Sequence, residues 1–85
     1  EASHYRTQAG AEIDLVLESS DGRRSAIEIK RTLSPKVTPV FRESMRTLKA
    51  ERGYYIIPSG ETYPLADNIV AISLRTFLKL NDTMR

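Results

Sequence analysis

Residues 12–18 read Glu-Ile-Asp-Leu-Val-Leu-Glu and residues 24–30 read Arg-Ser-Ala-Ile-Glu-Ile-Lys, with Ser19-Ser20-Asp21-Gly22 between them. Ile13, Leu15 and Leu17 recur at period two, as do Ile27 and Ile29. That period belongs to strands with one apolar face, and the intervening residues have turn chemistry. The pattern therefore predicts an antiparallel hairpin. Ile13, Leu15, Leu17, Ile27 and Ile29 are expected on one side. Glu12, Asp14, Val16, Glu18, Arg24, Ala26, Glu28 and Lys30 are expected on the other. A slip of one residue would split the apolar set across both faces, so the register is tightly constrained. Two registers satisfy it. In one, Asp14 faces Glu28, Glu12 faces Lys30 and Glu18 faces Arg24. In the other, Asp14 faces Lys30 and Glu28 lies diagonally. Both bring Asp14, Glu28 and Lys30 together on one face.

Around the hairpin the chain alternates in type. His4 to Thr7 is a candidate strand, and residues 8–11 a turn in which Gly10 can take a positive φ. Thr38-Pro39 has the form of a helix start, Thr as N-cap and Pro at the first helical position. Phe41, Met45 and Leu48 follow at helical spacing, and Gly53 is expected to end the helix or the loop after it. Tyr54-Tyr55-Ile56-Ile57 is a continuous apolar run, the mark of a strand buried on both faces. Residues 69–72 form a second such run. Ser73 can cap a last helix that carries Leu74, Phe77 and Leu78. Strand, strand, strand, helix, strand, strand, helix predicts an α/β domain: a mixed sheet made of an antiparallel meander, a crossover helix and a buried strand, with helices packed on it.

With 85 residues, of which 40% are hydrophobic and 28% charged, the chain is long enough for one globular domain, 1–85, and no more. Cysteine is absent, which excludes disulfides, Cys-based zinc sites and a thiol nucleophile, and fits a reducing, cytoplasmic setting. No apolar run has the roughly 18 residues a membrane span needs. A net charge of +2 is too small an excess to define a nucleic-acid face by itself. The basic residues nevertheless concentrate in the first two-thirds, including Arg42, Arg46 and Lys49 on the polar side of the predicted helix. His4 is the lone histidine, so no Ser-His-Asp triad can be assembled. Tyr54 and Tyr55 could stack on bases, but a buried strand uses them for packing.

Asp14, Glu28 and Lys30 carry the chemical signal. Two carboxylates opposed across a sheet repel each other, and a divalent cation between them removes that penalty. Mg²⁺ or Mn²⁺ bound by Asp14 and Glu28, with Lys30 beside them as an electrostatic group, is a set suited to phosphodiester hydrolysis. The plainer reading is a solvated strand face on which Glu12 pairs with Lys30 and Glu18 with Arg24.

The segments Gly10-Ala11-Glu12-Ile13-Asp14-Leu15-Val16 and Ala26-Ile27-Glu28-Ile29-Lys30 resemble the second and third motifs of the PD-(D/E)XK, restriction-endonuclease-like superfamily. Tyr5-Arg6, the Gly10 segment, the Ile27 segment and Tyr63-Pro64-Leu65 also follow in the order seen in one family. That family is the domain of unknown function at the C-terminus of predicted AAA-type ATPases of bacteria and archaea. The resemblance covers nearly the whole chain. It implies a restriction-endonuclease-like fold, catalytic roles for Asp14, Glu28 and Lys30, and metal ligation by Asp14 and Glu28. It also implies an upstream ATPase region in the same polypeptide. The superfamily carries a further Glu on a helix before the first strand. The chain lacks that Glu, so the domain is expected to be N-terminally truncated and its metal site incomplete. No Walker-type loop is present, so ATP is not expected to bind here. The expected partners are nucleic acid, held weakly and salt-dependently, and the ATPase region. The alternative is an accessory docking module that retains the fold without catalysis.

Overall fold

The computed structural model describes residues 2–3 and 13–83, with side chains described for residues 13–80. The predicted strand at His4 to Thr7, the Gly10 turn and the expected pairing of Glu12 with Lys30 lie outside the described residues. The elements run β1 (Ala2–Ser3), β2 (Leu15–Glu18), β3 (Arg24–Ile29), α1 (Pro39–Leu48), β4 (Arg52–Ile57), β5 (Tyr63–Ala66), β6 (Ile69–Ser73) and α2 (Leu74–Thr83). They form one mixed sheet in the order β1-β2-β3-β4-β6-β5. The β2–β3 hairpin is antiparallel, β3, β4 and β6 are mutually parallel, and β5 returns antiparallel on β6. The mixed α/β architecture expected from the alternating patterns is therefore present. Among the described residues no helix is long and apolar enough to cross a membrane.

The hairpin takes the first of the two registers, with Leu15 opposite Ile27 and Glu18 opposite Arg24. Its turn is closed by Asp21, which accepts from the Ser19 hydroxyl and from the Arg23 N–H. These hydrogen bonds, the Ser19 one first, hold the Asp21 carboxyl below the usual range. Gly22 sits at φ 89°, where a side chain would be strained.

One expectation for the hairpin is corrected. Leu15, Leu17 and Ile27 share a face, but Ile13 packs on the opposite side with Val16. The cause lies at Asp14. Its N–H donates to the Ile27 carbonyl at 2.8 Å, although Ile27 is already the register partner of Leu15. Two residues of one strand thus stand against one of the other, which is the arrangement of a β-bulge, and the alternation shifts by one. Ile29 keeps the face of Ile27, as its partner Ile56 does, but it lies at the end of β3 and is 63% exposed.

The sheet separates two small cores. On one face α1 sets Phe41, Met45 and Leu48 against Val16, Ala26, Tyr55, Ile69 and Ile13. On the other, Phe77 of α2 packs with Ile27, Tyr54, Ile56 and Ile72. Thr38 caps α1 as expected, its Oγ1 accepting from Phe41 N at 3.1 Å, with Pro39 in the first turn. The helix ends at Leu48 with Lys49 left-handed at φ 57°, so Gly53 terminates nothing. Gly53 lies inside β4, where a Cβ would come within 2.7 Å of Phe41 Cε2 and 2.9 Å of Met45 Sδ. The missing side chain lets α1 settle on the sheet. On α2, Leu74 and Leu78 are 52% and 57% exposed, and Phe77 alone of the three is buried.

Candidate functional site

Glu28 and Lys30 stand two residues apart on β3 and its continuation, so their side chains share a face. That face is the one α1 covers. Parallel pairing sets Glu28 beside Tyr55, and Lys30 N–H extends the ladder by donating to the Ile56 carbonyl at 2.8 Å. The Lys30 ammonium lies 3.1 Å from Glu28 Oε2, with side-chain exposures of 21% and 13%. It also lies 4.9 Å from the centroid of the Tyr55 ring, within cation–π range. Glu18 and Arg24, further along the same hairpin, are 3.8 Å apart and more than 40% exposed. The solvated-face reading therefore fits Glu18 and Arg24 and does not fit Glu28 and Lys30. Arg24 has a second role: its guanidinium donates to the Leu48 carbonyl at 3.1 Å and ties the end of α1 to the sheet.

Asp14 reaches the site through the bulge. Its Oδ2 accepts from the Ile29 N–H at 2.8 Å. The carboxylate is thus anchored on the peptide that joins Glu28 to Ile29. Asp14 is exposed while Glu28 is half-buried, so the two acids approach from the solvent and interior sides of one strand end.

Tyr55 was legible only as a core residue, and its contact with Glu28 and Lys30 requires the parallel register, which hairpin spacing does not contain. The ring is fully buried and meets Phe41 edge-on at 4.7 Å. Burial pushes the Tyr55 hydroxyl up from the usual tyrosine range, and the Glu28 charge adds to the shift. Thr38 and Lys30 pull the other way, although among the described residues the hydroxyl closes no hydrogen bond of good geometry.

The donor set for a metal is two hard carboxylates. Among the described residues no three His, Cys, Asp or Glu side chains gather closely enough to hold an ion together. Asp14 and Glu28 alone would offer only oxygen donors, a chemistry that would suit a hard divalent cation keeping most of its own waters and no softer metal.

These features define a mixed α/β domain with a partly buried acid–lysine pair at the carboxyl end of a parallel strand. The chain belongs to the DUF4143 family, a domain of unknown function, whose model matches residues 1–77. Two uncharacterized proteins are similar to it, Mb2031c of Mycobacterium bovis and Rv2008c of Mycobacterium tuberculosis. Each is 38% identical over 69 residues, which cover 81% of this chain and 15% of the relative. The chain thus spans a small fraction of the length of the curated relatives it matches. No solved structure matches it.

Proposed function

We propose that this domain is a nuclease-like module of the restriction-endonuclease-like type, acting on or binding nucleic acid in the cytoplasm as part of a longer, AAA-type ATPase polypeptide. The observation that carries the reading is the contact of Glu28 with Lys30 at 3.1 Å, with the Asp14 carboxylate held on the adjoining peptide. An acid and a lysine with little exposure are costly to retain on a strand for stability alone. Asp14 and Glu28 are the groups that would hold Mg²⁺ or Mn²⁺. Such an ion, when bound, lowers the pKa of a coordinated water and offsets phosphate charge. Lys30, with no lone pair to offer while protonated, is not a ligand. Its ammonium offsets negative charge on the scissile phosphate, and the Tyr55 ring and Glu28 hold it in place.

A second reading is a docking module without catalysis. It is favoured by the fact that each acid already has a partner within the chain, Asp14 the Ile29 amide and Glu28 the Lys30 ammonium.

Calorimetric titration with Mn²⁺, run beside a cleavage assay on labelled DNA and RNA, separates the two. The nuclease-like reading expects weak uptake that Asp14→Asn reduces. It also expects Lys30→Ala to spare or tighten metal binding while abolishing cleavage. Equal uptake by wild type and Asp14→Asn, or none by either, leaves the docking module.

A further inference from the structure

The segment Tyr63-Pro64-Leu65, quoted above only as part of a family resemblance, has a structural partner. The Tyr63 hydroxyl donates to the Leu33 carbonyl at 2.7 Å. Leu33 belongs to the connection between β3 and α1, whereas Tyr63 opens β5, beyond β4 and β6 in the sheet. Three strand spacings amount to about 14 Å. The four residues from Ile29 to Leu33 can reach about 13 Å when extended. The tyrosine side chain covers part of that span, so the connection leaves the end of β3 and turns toward β4 and β6, where the Tyr63 hydroxyl meets it. Its other anchors agree with that path. Lys30 N–H is bonded to Ile56 O at the start. Pro35 is buried in the middle, and Val37 packs on the α1-side core. Thr38 caps α1 at the end.

Between these anchors Arg31, Thr32, Leu33, Ser34 and Lys36 face solvent. Arg23, Arg24 and Arg46 each pair with an acid, and Lys30 pairs with Glu28. Among the described residues Arg31 and Lys36 form no ion pair, as is also true of Arg42, Lys49, Arg52 and Arg75, but of these only Arg31 and Lys36 lie on the connection that follows Lys30; Glu61, two residues before Tyr63, forms none either. The carboxyl edge of parallel strands is where open α/β sheets bind ligands. Here the connection that leaves that edge carries two exposed cations, Arg31 next to Lys30 in the chain and Lys36 further along.

We propose that residues 30–38 form a strap, latched across the sheet by Tyr63, that presents Arg31 and Lys36 to the phosphodiester backbone of a single-stranded nucleic acid beside Lys30. This rests on the nucleic-acid reading above and names the surface that serves it. Tyr63 is a positioning residue: it touches no phosphate and sets where the two cations stand.

The test is fluorescence anisotropy of the whole chain with a labelled single-stranded DNA oligonucleotide at several salt concentrations, with a thermal melt of every variant. Arg31→Ala with Lys36→Ala is expected to weaken binding about tenfold or more. It should also flatten the dependence of log affinity on log salt by about 1.4, since each lost phosphate contact on a single strand removes about 0.7. Tyr63→Phe, which removes only the hydroxyl, is expected to weaken binding roughly threefold to tenfold while its melting temperature stays within about 3 °C of wild type. Arg42→Ala with Lys49→Ala, on the exposed side of α1, is expected to bind as wild type does. Loss of binding in that α1 variant with unchanged strap variants overturns the strap and leaves the nucleic-acid reading standing. Full binding by Tyr63→Phe overturns the latch. Absence of wild-type binding even at low salt overturns both the strap and the reading on which it rests.

Discussion

Asp14 Oδ2 and the Ile29 backbone N–H are 2.8 Å apart, although the residues are fifteen positions apart in the chain. The contact exists because the bulge at Asp14 turns its carboxylate along the hairpin toward the end of β3. An acid that a regular alternation would leave facing Glu28 across the sheet instead accepts an amide next to it. Its charge is held by a backbone donor, which offsets the repulsion expected of two facing carboxylates.

This relationship reverses a sign. Carboxylate repulsion alone predicts that removing Asp14 stabilises the metal-free domain. With the amide contact present, Asp14→Ala is expected to lower stability by about 1 kcal/mol, because Ile29 N–H loses its acceptor. Asp14→Asn retains a carbonyl acceptor without the charge and is expected to melt close to wild type. Urea unfolding of the three proteins checks the order, and a more stable Asp14→Ala contradicts it.

Gly53→Ala should be destabilising in spite of its small size. The added Cβ would meet Phe41 and Met45 at under 3 Å, and the Phe41 ring is fully buried with no room to give. Overpacking of this kind costs about 1–3 kcal/mol. A chemical-denaturation midpoint equal to that of wild type would mean that α1 can lift off the sheet without penalty.

Thr38→Ala removes the acceptor for Phe41 N–H and should cost about 1 kcal/mol, whereas Thr38→Ser should restore most of it. Circular dichroism melts of the pair are sufficient to check this. Equal losses in both variants would assign the effect to the methyl group and not to the cap.

Tyr55 governs an alkaline transition. Its hydroxyl titrates higher in the folded chain than in the unfolded one, chiefly through burial. A group with a raised folded pKa contributes stability that is complete below its unfolded pKa and is lost as pH rises through the folded value. The loss should begin near pH ~10, the ordinary tyrosine range. Tyr55→Phe should leave stability at pH 7 little changed, because the hydroxyl closes no good hydrogen bond, and should flatten the decline above pH ~10. Melting temperatures across that range for both proteins give the comparison. Parallel declines would assign the alkaline limb to other groups.

Much of the fold could be read from local pattern. The Ser-Ser-Asp-Gly turn and the period-two apolar residues limited the hairpin to two registers, and one of them occurs. Thr38-Pro39 marked a helix start because both residues act within a single turn. Tyr54 to Ile57 read as a strand buried on both faces because it has no polar alternation. The misreadings share a different character. Ile13 changed faces through a bulge that one extra backbone hydrogen bond creates, and nothing in the residue types announces it. Gly53 read as a terminator because glycine is punctuation in most contexts, whereas here it provides clearance for Phe41 and Met45 of the preceding helix. β5 was missed because it is four residues long, contains Pro64 on an edge and has an irregular register. Leu74 and Leu78 have the spacing of a core face, but α2 reaches the sheet chiefly through Phe77. The candidate site was partly visible. The contact of Glu28 with Lys30 follows from their spacing on one strand, Asp14 reaches the end of β3 through the bulge and not through the regular face the spacing implies, and Tyr55 depends on parallel pairing between strands separated by a helix.

The division of the interior by the sheet has a consequence for how the domain can change over time. Glu28, Lys30 and Tyr55 all face α1, while Ile27, Tyr54, Ile56, Ile72 and Phe77 form a separate cluster behind the strands. Side chains of that rear cluster point away from the acid–lysine pair, so effects of substitutions at Phe77 or Ile72 on stability should couple only weakly to those at the pair. The rear layer can drift as a reservoir of neutral variation, and the front layer keeps its chemistry insulated from that drift by a single thickness of backbone.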